Sequence, residues 1–185
     1  MVKKNTCIFI SGSGTNLNEI LKSSRSYNFP IKVKMVVSNK KDAKGLLLAK
    51  KNSIPYYIID TKIKFAELKI LQELKNKKIQ LICLAGYMRI LSKKFISEFK
   101  HKIINIHPSL LPKFKGLNTF ERVLRNNEIK TGCTVHYVNK KLDSGKIILN
   151  KTYYIKKNDN VSSLKKNVQK LEYKAFSQAI IRIYN

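Results

Sequence analysis

Two polar side chains, Asn105 and His107, stand two positions apart at the end of an apolar, strand-like segment. On an extended chain such residues face the same side, so a carboxamide and an imidazole would lie next to each other. An amide N–H and a protonated imidazole can both stabilise a developing oxyanion, and an imidazole also transfers protons near neutral pH. Pro108 and Pro112 would stiffen the loop that follows. A single histidine at a strand end is also common as a structural residue, and this alternative stays open.

A third polar side chain, Asp143, lies in the sequence Leu142-Asp143-Ser144-Gly145, between two predicted strands. Aspartate before Ser-Gly is typical of an ordinary turn, which is the alternative reading of this residue. A carboxylate that reached His107 would favour the charged form of the imidazole and fix its orientation. The three side chains together would suit a reaction that passes through an oxyanion.

A glycine-rich segment, Ser11-Gly12-Ser13-Gly14-Thr15-Asn16, joins the first predicted strand to the first predicted helix. Glycines allow a tight turn and bring several backbone N–H groups close to an anion at a helix N-terminus. The pattern is similar to a dinucleotide-binding fingerprint, but Leu17 occupies its third glycine position. The second strand ends in Ser38-Asn39, without an acidic residue for a ribose. We therefore expect a phosphate site without a dinucleotide; a plain helix-capping turn is the alternative.

The elements that must position these residues are short apolar runs alternating with amphipathic stretches. The predicted strands are 6–10, 31–38, 56–59, 81–85, 103–106, 133–138 and 147–154. The predicted helices are 16–24, 45–52, 65–77, 93–99, 119–126 and 161–183. This alternation predicts an α/β fold, with a mostly parallel twisted sheet and helices on both faces. The last two strands lack an intervening helix, so we expect them to pair antiparallel at one edge. Ligands bind beyond the carboxyl ends of the strands in such sheets, where the loops above lie.

Length and composition limit the class of protein. A chain of 185 residues with 43% hydrophobic residues has the size of one domain, 1–185. Its apolar runs are shorter than the ~20 residues that span a bilayer, and residues 1–10 do not resemble a signal peptide. We therefore expect a cytoplasmic protein without membrane contact.

Cys7, Cys83 and Cys133 lie in apolar segments without CxxC spacing, which predicts reduced core thiols and no zinc site.

The net charge of +27 suggests a nucleic-acid binder at first sight. However, only five of the 38 basic residues are arginine, whereas base-reading surfaces usually draw on the planar arginine fork. The lysines are also spread along the whole chain. We therefore favour a general lysine bias, which would still attract anionic substrates. A basic nucleic-acid-binding domain stays as the alternative from a different functional class, although it leaves the Asn105 and His107 loop unexplained.

Five stretches of the sequence occur together in one order. They are 10–17 (ISGSGTNL); 37–40 (VSNK) with 42–43 (DA) and 45–46 (GL); 84–92 (LAGYMRILS); 105–112 (NIHPSLLP) with 116–117 (GL); and 132–138 (GCTVHYV) with 142–145 (LDSG). In this order the chain resembles the phosphoribosylglycinamide formyltransferases, folate-dependent enzymes of purine synthesis. The resemblance implies a Rossmann-like formyltransferase fold. It also implies transfer of the formyl group of 10-formyltetrahydrofolate to the amine of glycinamide ribonucleotide.

The resemblance further implies roles for individual residues. The catalytic residues would be Asn105, His107 and Asp143. The substrate-binding residues would be Gly12, Ser13, Gly14, Thr15 and Asn16 for the phosphate, with Glu172 for the ribose hydroxyls. The residues of the folate site would be Met88, Arg89, Ile90 and Leu91, with Asn105. The formyl donor would be a co-substrate, no metal would take part, and the protein would be a monomer or a weak homodimer.

The sequence also departs from this family. Asn118 and Phe120 stand where the family commonly has histidines, and Lys140 and Lys141 replace acidic residues. A basic family residue near the folate site has no certain counterpart, and Lys62 or Lys64 could serve. Formyltransferases that act on initiator methionyl-tRNA share the Asn, His and Asp residues and a Ser-Leu-Leu-Pro stretch. They carry a second domain, as do formyltetrahydrofolate hydrolases, and we expect neither arrangement in 185 residues.

Overall fold

The structure is a computed structural model that describes residues 2–60 and 65–184. Within these residues, strands and helices alternate until two consecutive strands near the end. The strands are β1 (Lys4–Ile10), β2 (Ile31–Ser38), β3 (Tyr56–Ile58), β4 (Leu81–Leu84), β5 (Lys102–His107), β6 (Lys130–Tyr137) and β7 (Ile147–Tyr154). The helices are α1 (Thr15–Ser24), α2 (Gly45–Lys51), α3 (Ala66–Asn76), α4 (Lys93–Glu98), α5 (Thr119–Arg125) and α6 (Val161–Tyr184).

The strands are ordered β3-β2-β1-β4-β5-β6-β7 in the sheet. The pairs β2–β3, β1–β2 and β1–β4 are parallel, whereas β6 and β7 are antiparallel. The α/β fold class predicted from the alternation of elements is confirmed, and so is the antiparallel pairing of the last two strands.

The residues up to Ile104 form one compact unit. Its centre is β1, in which every side chain of 7–10 is completely buried. An unbroken apolar run of this kind is typical of a parallel strand that is covered on both faces. Helix α1 is amphipathic and buries Leu17, Ile20 and Leu21, so its other face can carry the polar residues.

Helix α3 shows how a three-residue repeat differs from a helical stripe. Phe65, Leu68, Leu71 and Leu74 repeat every three residues, which predicts one buried face. The structure instead buries Ile70 and Leu74, and Phe65 is 58% exposed. Because an α-helix turns by about 100° per residue, positions three apart drift by about 60° at each step, whereas positions four apart stay close.

The residues from Asn105 onward form a second compact unit, so the boundary falls within β5. Helix α6 packs against β6 and β7 in this unit. It buries the apolar residues Leu164, Val168, Ala175, Phe176, Ala179 and Ile180. The organisation of 1–185 as a single domain stays a prediction.

The cysteines are free and buried, as expected for core thiols. Burial raises the pKa of Cys83 well above its ordinary value and that of Cys133 to about 12. These thiols therefore stay protonated at neutral pH. In the part of the chain that the structure describes, no helix is both long and apolar enough to cross a membrane.

Candidate active site

The second unit brings His107 and Asp143 together. His107 is the last residue of β5, and Asp143 lies in the turn between β6 and β7. Their side chains meet with His107 Nδ1 3.3 Å from Asp143 Oδ2. Both residues are buried, at 5% and 8% exposure. The sequence alone left Asp143 open as an ordinary turn residue, and its burial against a histidine indicates a further role.

Asn105 joins this cluster through a second histidine. Asn105 Nδ2 lies 3.2 Å from His136 Nε2, and the same ring nitrogen is 3.7 Å from Asp143 Oδ1. His136 is on β6 and is only 2% exposed. The three predicted catalytic residues are therefore gathered in one cluster, but His136 was not predicted as a member of it.

A sequence signal for His136 existed. Thr134 and His136 stand two apart on an otherwise apolar strand, so they face the same side of it. The Thr134 hydroxyl donates to the Ser109 carbonyl at 2.7 Å and accepts the Leu111 N–H at 3.0 Å. This face of β6 therefore supports both the buried polar cluster and the loop after His107.

Both ring nitrogens of His107 face acceptors. Nδ1 faces the Asp143 carboxylate, and Nε2 is 2.9 Å from the backbone carbonyl of Phe114. A carbonyl oxygen can only accept a hydrogen bond, so Nε2 carries the hydrogen in its contact with Phe114. Asp143 Oδ2 also accepts the Gly116 N–H at 2.9 Å, which fixes the carboxylate from a second side.

The turn that carries Asp143 is held from both ends. Asp143 has a φ of 44°, a left-handed conformation that aspartate tolerates better than most residues. Next to it, Lys115 Nζ donates to Ser144 Oγ at 2.6 Å. Gly145 follows, and a Cβ there would lie 1.6 Å from the Tyr137 carbonyl oxygen, so only glycine allows this close approach.

The glycine-rich loop belongs to the first unit and lies between β1 and α1. Gly14 precedes α1 with a φ of 74°, and a Cβ on it would lie 2.6 Å from the Gly45 Cα. Gly45 N–H in turn donates to the Gly12 carbonyl at 3.0 Å. Gly12 itself is exposed and has open space around its Cα. Gly14 is therefore required for packing, whereas Gly12 leaves room for a ligand to approach the backbone.

The predicted folate segment, also in the first unit, follows β4. Met88 and Ile90 are 65% and 74% exposed, whereas Leu91 is buried. The backbone of this segment is held in place, because Met88 N–H donates to Ser11 Oγ at 2.7 Å. Other apolar side chains of the described residues, such as Leu117 and Ile129, are equally exposed, so the folate site stays a prediction.

The remaining predicted site residues have more ordinary surroundings. Glu172 is half-buried on α6, and its charge adds to burial in raising the pKa of Cys133 to about 12. Asn118 is exposed at the start of α5, and Phe120 is half-buried two residues later. Lys62 and Lys64 lie outside the described residues.

Among residues 2–60 and 65–184, no group of three or more His, Cys, Asp or Glu side chains could hold a metal ion.

Comparison with known proteins gives consistent results. Residues 4–180 match the formyl transferase family. The chain is 39% identical to the phosphoribosylglycinamide formyltransferase of Haemophilus influenzae, over 96% of this chain and 85% of that protein. It is 40% identical to the trifunctional purine biosynthetic protein adenosine-3 of Gallus gallus, over 96% of this chain. The chain spans only 18% of the length of that trifunctional protein.

The fold is also that of a solved relative. The crystal structure of a phosphoribosylglycinamide formyltransferase from Bacillus halodurans superposes with a TM-score of 0.93 at 34% identity. The match covers 97% of this chain and 95% of that one. The resemblance found in the sequence motifs is therefore confirmed by whole-chain sequence and by structure.

Proposed function

This chain belongs to the formyl transferase family, and on that premise we propose that it is a phosphoribosylglycinamide formyltransferase. It transfers the formyl group of 10-formyltetrahydrofolate to the amine of glycinamide ribonucleotide. The products are formylglycinamide ribonucleotide and tetrahydrofolate, in de novo purine (IMP) biosynthesis. The folate is a co-substrate, and the enzyme works in the cytoplasm as a monomer or a weak homodimer, without a metal or a specific nucleic acid.

One observation carries the chemistry of this proposal: the buried contact between His107 and Asp143, at 3.3 Å, with Asn105 in the same cluster. Attack of an amine on a formyl carbon produces a tetrahedral intermediate with a negative oxygen. The Asn105 amide and the charged His107 ring would stabilise that oxygen. Asp143 would stabilise the charged ring in the transition state and assist the transfer of a proton from the amine to the departing folate nitrogen.

The resting contacts of the cluster set a condition on this mechanism. His107 Nε2 already donates to the Phe114 carbonyl, so the oxyanion must replace that carbonyl as the acceptor. An amide nitrogen carries two hydrogens, so Asn105 can donate one to His136 and the other to the oxyanion. The oxyanion is a stronger acceptor than a neutral carbonyl, which favours this exchange in the transition state.

The proposal also assigns residues to the binding of each substrate. The backbone of Gly12, Ser13, Gly14, Thr15 and Asn16 at the start of α1 would bind the phosphate. The exposed Met88 and Ile90, with Arg89 and Leu91, would contact the pterin. Glu172 would hold the ribose hydroxyls. Both substrates are anionic, so the net charge of +27 favours their approach.

The test is a formyl-transfer assay with three acceptors. The protein is incubated with 10-formyltetrahydrofolate and either glycinamide ribonucleotide, initiator methionyl-tRNA or water alone. We expect formylglycinamide ribonucleotide and stoichiometric tetrahydrofolate with the first acceptor, and none of this product from a folded His107→Ala variant. Formylation of the tRNA alone, or release of formate without an amine acceptor, would refute the proposed substrate.

A further inference from the structure

The contacts around the second histidine define its protonation. His136 Nδ1 is 2.8 Å from the backbone carbonyl of Tyr137. A carbonyl oxygen can only accept a hydrogen bond, so Nδ1 must carry a hydrogen. The other ring nitrogen, Nε2, faces the Asn105 side chain at 3.2 Å. Whether Nε2 donates or accepts in that contact depends on whether the ring is neutral or charged.

The surroundings favour the neutral ring. Burial lowers the pKa of His136, and His107 and Lys115 lower it further, against the raising effects of the Tyr137 carbonyl and Asp143. The distance from Nε2 to Asp143 Oδ1 is 3.7 Å, longer than a hydrogen bond. A charged His136 would instead be drawn to that carboxylate. The neutral ring, with hydrogen on Nδ1, leaves a lone pair on Nε2.

This lone pair decides how the Asn105 amide is oriented. An unprotonated Nε2 can only accept, so the Asn105 atom that faces it must be the NH₂ group, not the carbonyl oxygen. A protonated Nε2 would favour the opposite amide rotamer, with the oxygen towards His136. The Tyr137 carbonyl, His136 and Asn105 therefore form one hydrogen-bonded chain with a single direction.

We propose that His136 is a positioning residue: a neutral ring, hydrogenated on Nδ1, that fixes the donor face of Asn105 and leaves Asp143 to pair with His107. The catalytic consequence of this role rests on the formyl-transfer function proposed above, but the tautomer does not. If His136 were charged, Asn105 would lose its preferred orientation. Asp143 would then be shared between the His107 and His136 cations.

The first test measures the tautomer directly. The chain has three histidines, so long-range ¹H–¹⁵N NMR spectra of the imidazole rings are simple to assign, with His101→Gln and His136→Phe as assignment variants. We expect His136 to show a protonated Nδ1 and an unprotonated Nε2 near neutral pH. A hydrogen on Nε2, in either the other tautomer or the cation, would overturn the proposal. This result is independent of any enzymatic activity.

The second test separates positioning from packing. His136→Phe keeps a ring but removes both hydrogen-bonding nitrogens, whereas His136→Gln can place an oxygen acceptor near the position of Nε2. Loss of a residue that orients a metal ligand typically costs about 10- to 100-fold, and we take the same range for a residue that orients Asn105. We expect kcat to fall by this factor in His136→Phe with both KM values nearly unchanged. The glutamine variant should recover a substantial part of the loss.

The exposed His101 provides the matched control, because His101→Gln changes the same residue type away from the cluster. Its kcat should equal that of the parent protein. In Asn105→Ala/His136→Phe, kcat should be little lower than in Asn105→Ala, because His136 acts through Asn105. Near-normal kcat in a folded His136→Phe variant, or fully multiplicative losses, would overturn the positioning role. An inactive parent protein would refute the proposed function and leave the NMR test to decide the tautomer.

Discussion

The buried cluster at the end of β5 and the exposed loops of the first unit are organised in opposite ways. His107, His136 and Asp143 are each less than 10% exposed, and their polar atoms face partners within the protein. Gly12 is open, and Met88 and Ile90 are at least 65% exposed. The cluster is oriented before a substrate arrives, whereas the loops present surface that a ligand would cover. Changes in the cluster should therefore affect kcat, and changes in the loops should affect KM.

The largest effect is expected for Asp143→Asn. An amide cannot stabilise the charged His107 ring, so kcat should fall on the order of 10³, near the upper end of the cost of one lost oxyanion contact. Both KM values should change little, which steady-state kinetics would show. In the double variant His107→Ala/Asp143→Asn, kcat should be little below that of the worse single variant, since the two residues act as one unit. Near-normal kcat in a folded Asp143→Asn enzyme would reduce Asp143 to a turn residue.

Asn105→Ala should have the next largest effect. It removes one donor to the oxyanion but leaves the His107 and Asp143 pair in place, so kcat should fall on the order of 10². Asn105→Asp is the informative companion, because it keeps the size of the side chain but replaces the donor with a negative charge. We expect it to be no more active than the alanine variant. Recovery of activity in Asn105→Asp would show that the donor hydrogen is not needed.

A smaller effect, on KM, is expected for Gly12→Val in the glycine-rich loop. A side chain at Gly12 enters open space, so the fold should tolerate it while the backbone N–H groups become less accessible to a phosphate. KM for glycinamide ribonucleotide should rise about tenfold, equivalent to ~1.4 kcal/mol, and KM for the folate should not change. Thermal unfolding should show a nearly unchanged Tm, and an unchanged substrate KM would contradict the phosphate site.

Gly14→Val is the contrasting variant in the same loop. Its Cβ would overlap the Gly45 backbone at 2.6 Å, and valine is strained at a φ of 74°. Strain and overpacking each cost about 1–3 kcal/mol, so this variant should be visibly less stable than Gly12→Val. Equal Tm values for the two variants would show that the contact between Gly14 and Gly45 is not close in solution.

The smallest effect is expected for Ile90→Ser in the folate segment. The side chain is 74% exposed, so its loss should hardly change Tm. If a bound pterin covers it, about 1 kcal/mol of apolar contact is lost and KM for 10-formyltetrahydrofolate rises about fivefold. Ile129→Ser is the matched control, since Ile129 is 76% exposed and lies outside the predicted folate segment. Equal KM changes in both variants would remove Ile90 from the folate site.

Most element positions could be predicted from the sequence. The strands 31–38 and 147–154 have the predicted bounds, and the first of them lies between the turn residues Pro30 and Asn39. The prediction for β6 began at Cys133, but the strand begins at Lys130. The prediction began too late because glycine is unfavourable inside a strand, and Gly132 precedes Cys133. In the structure this glycine is required, because a Cβ there would lie 1.9 Å from the Lys151 carbonyl oxygen of the paired strand.

Only some residues of the candidate site could be predicted from the sequence. Asn105 and His107 could be singled out because residues two apart on a strand share one face, and the order of the motifs indicated the family. His136 was missed although Thr134 and His136 share one face of the strand, because a histidine flanked by apolar residues is also common as a core residue. Its role depends on partners at positions 105 and 143, which are distant along the chain.

The sequence by itself determined the order of the elements, the α/β class, the family and the residues that supply the chemistry, because each depends on local periodicity or residue type. Only the tertiary structure decided which atoms meet. It placed the Phe114 carbonyl on His107, His136 between Asn105 and Asp143, and Gly14 against Gly45. The contacts of His136 depend on strand register, including the irregularity between Val135 and His136 on β6. A shift of one residue there would turn His136 to the other face of the sheet.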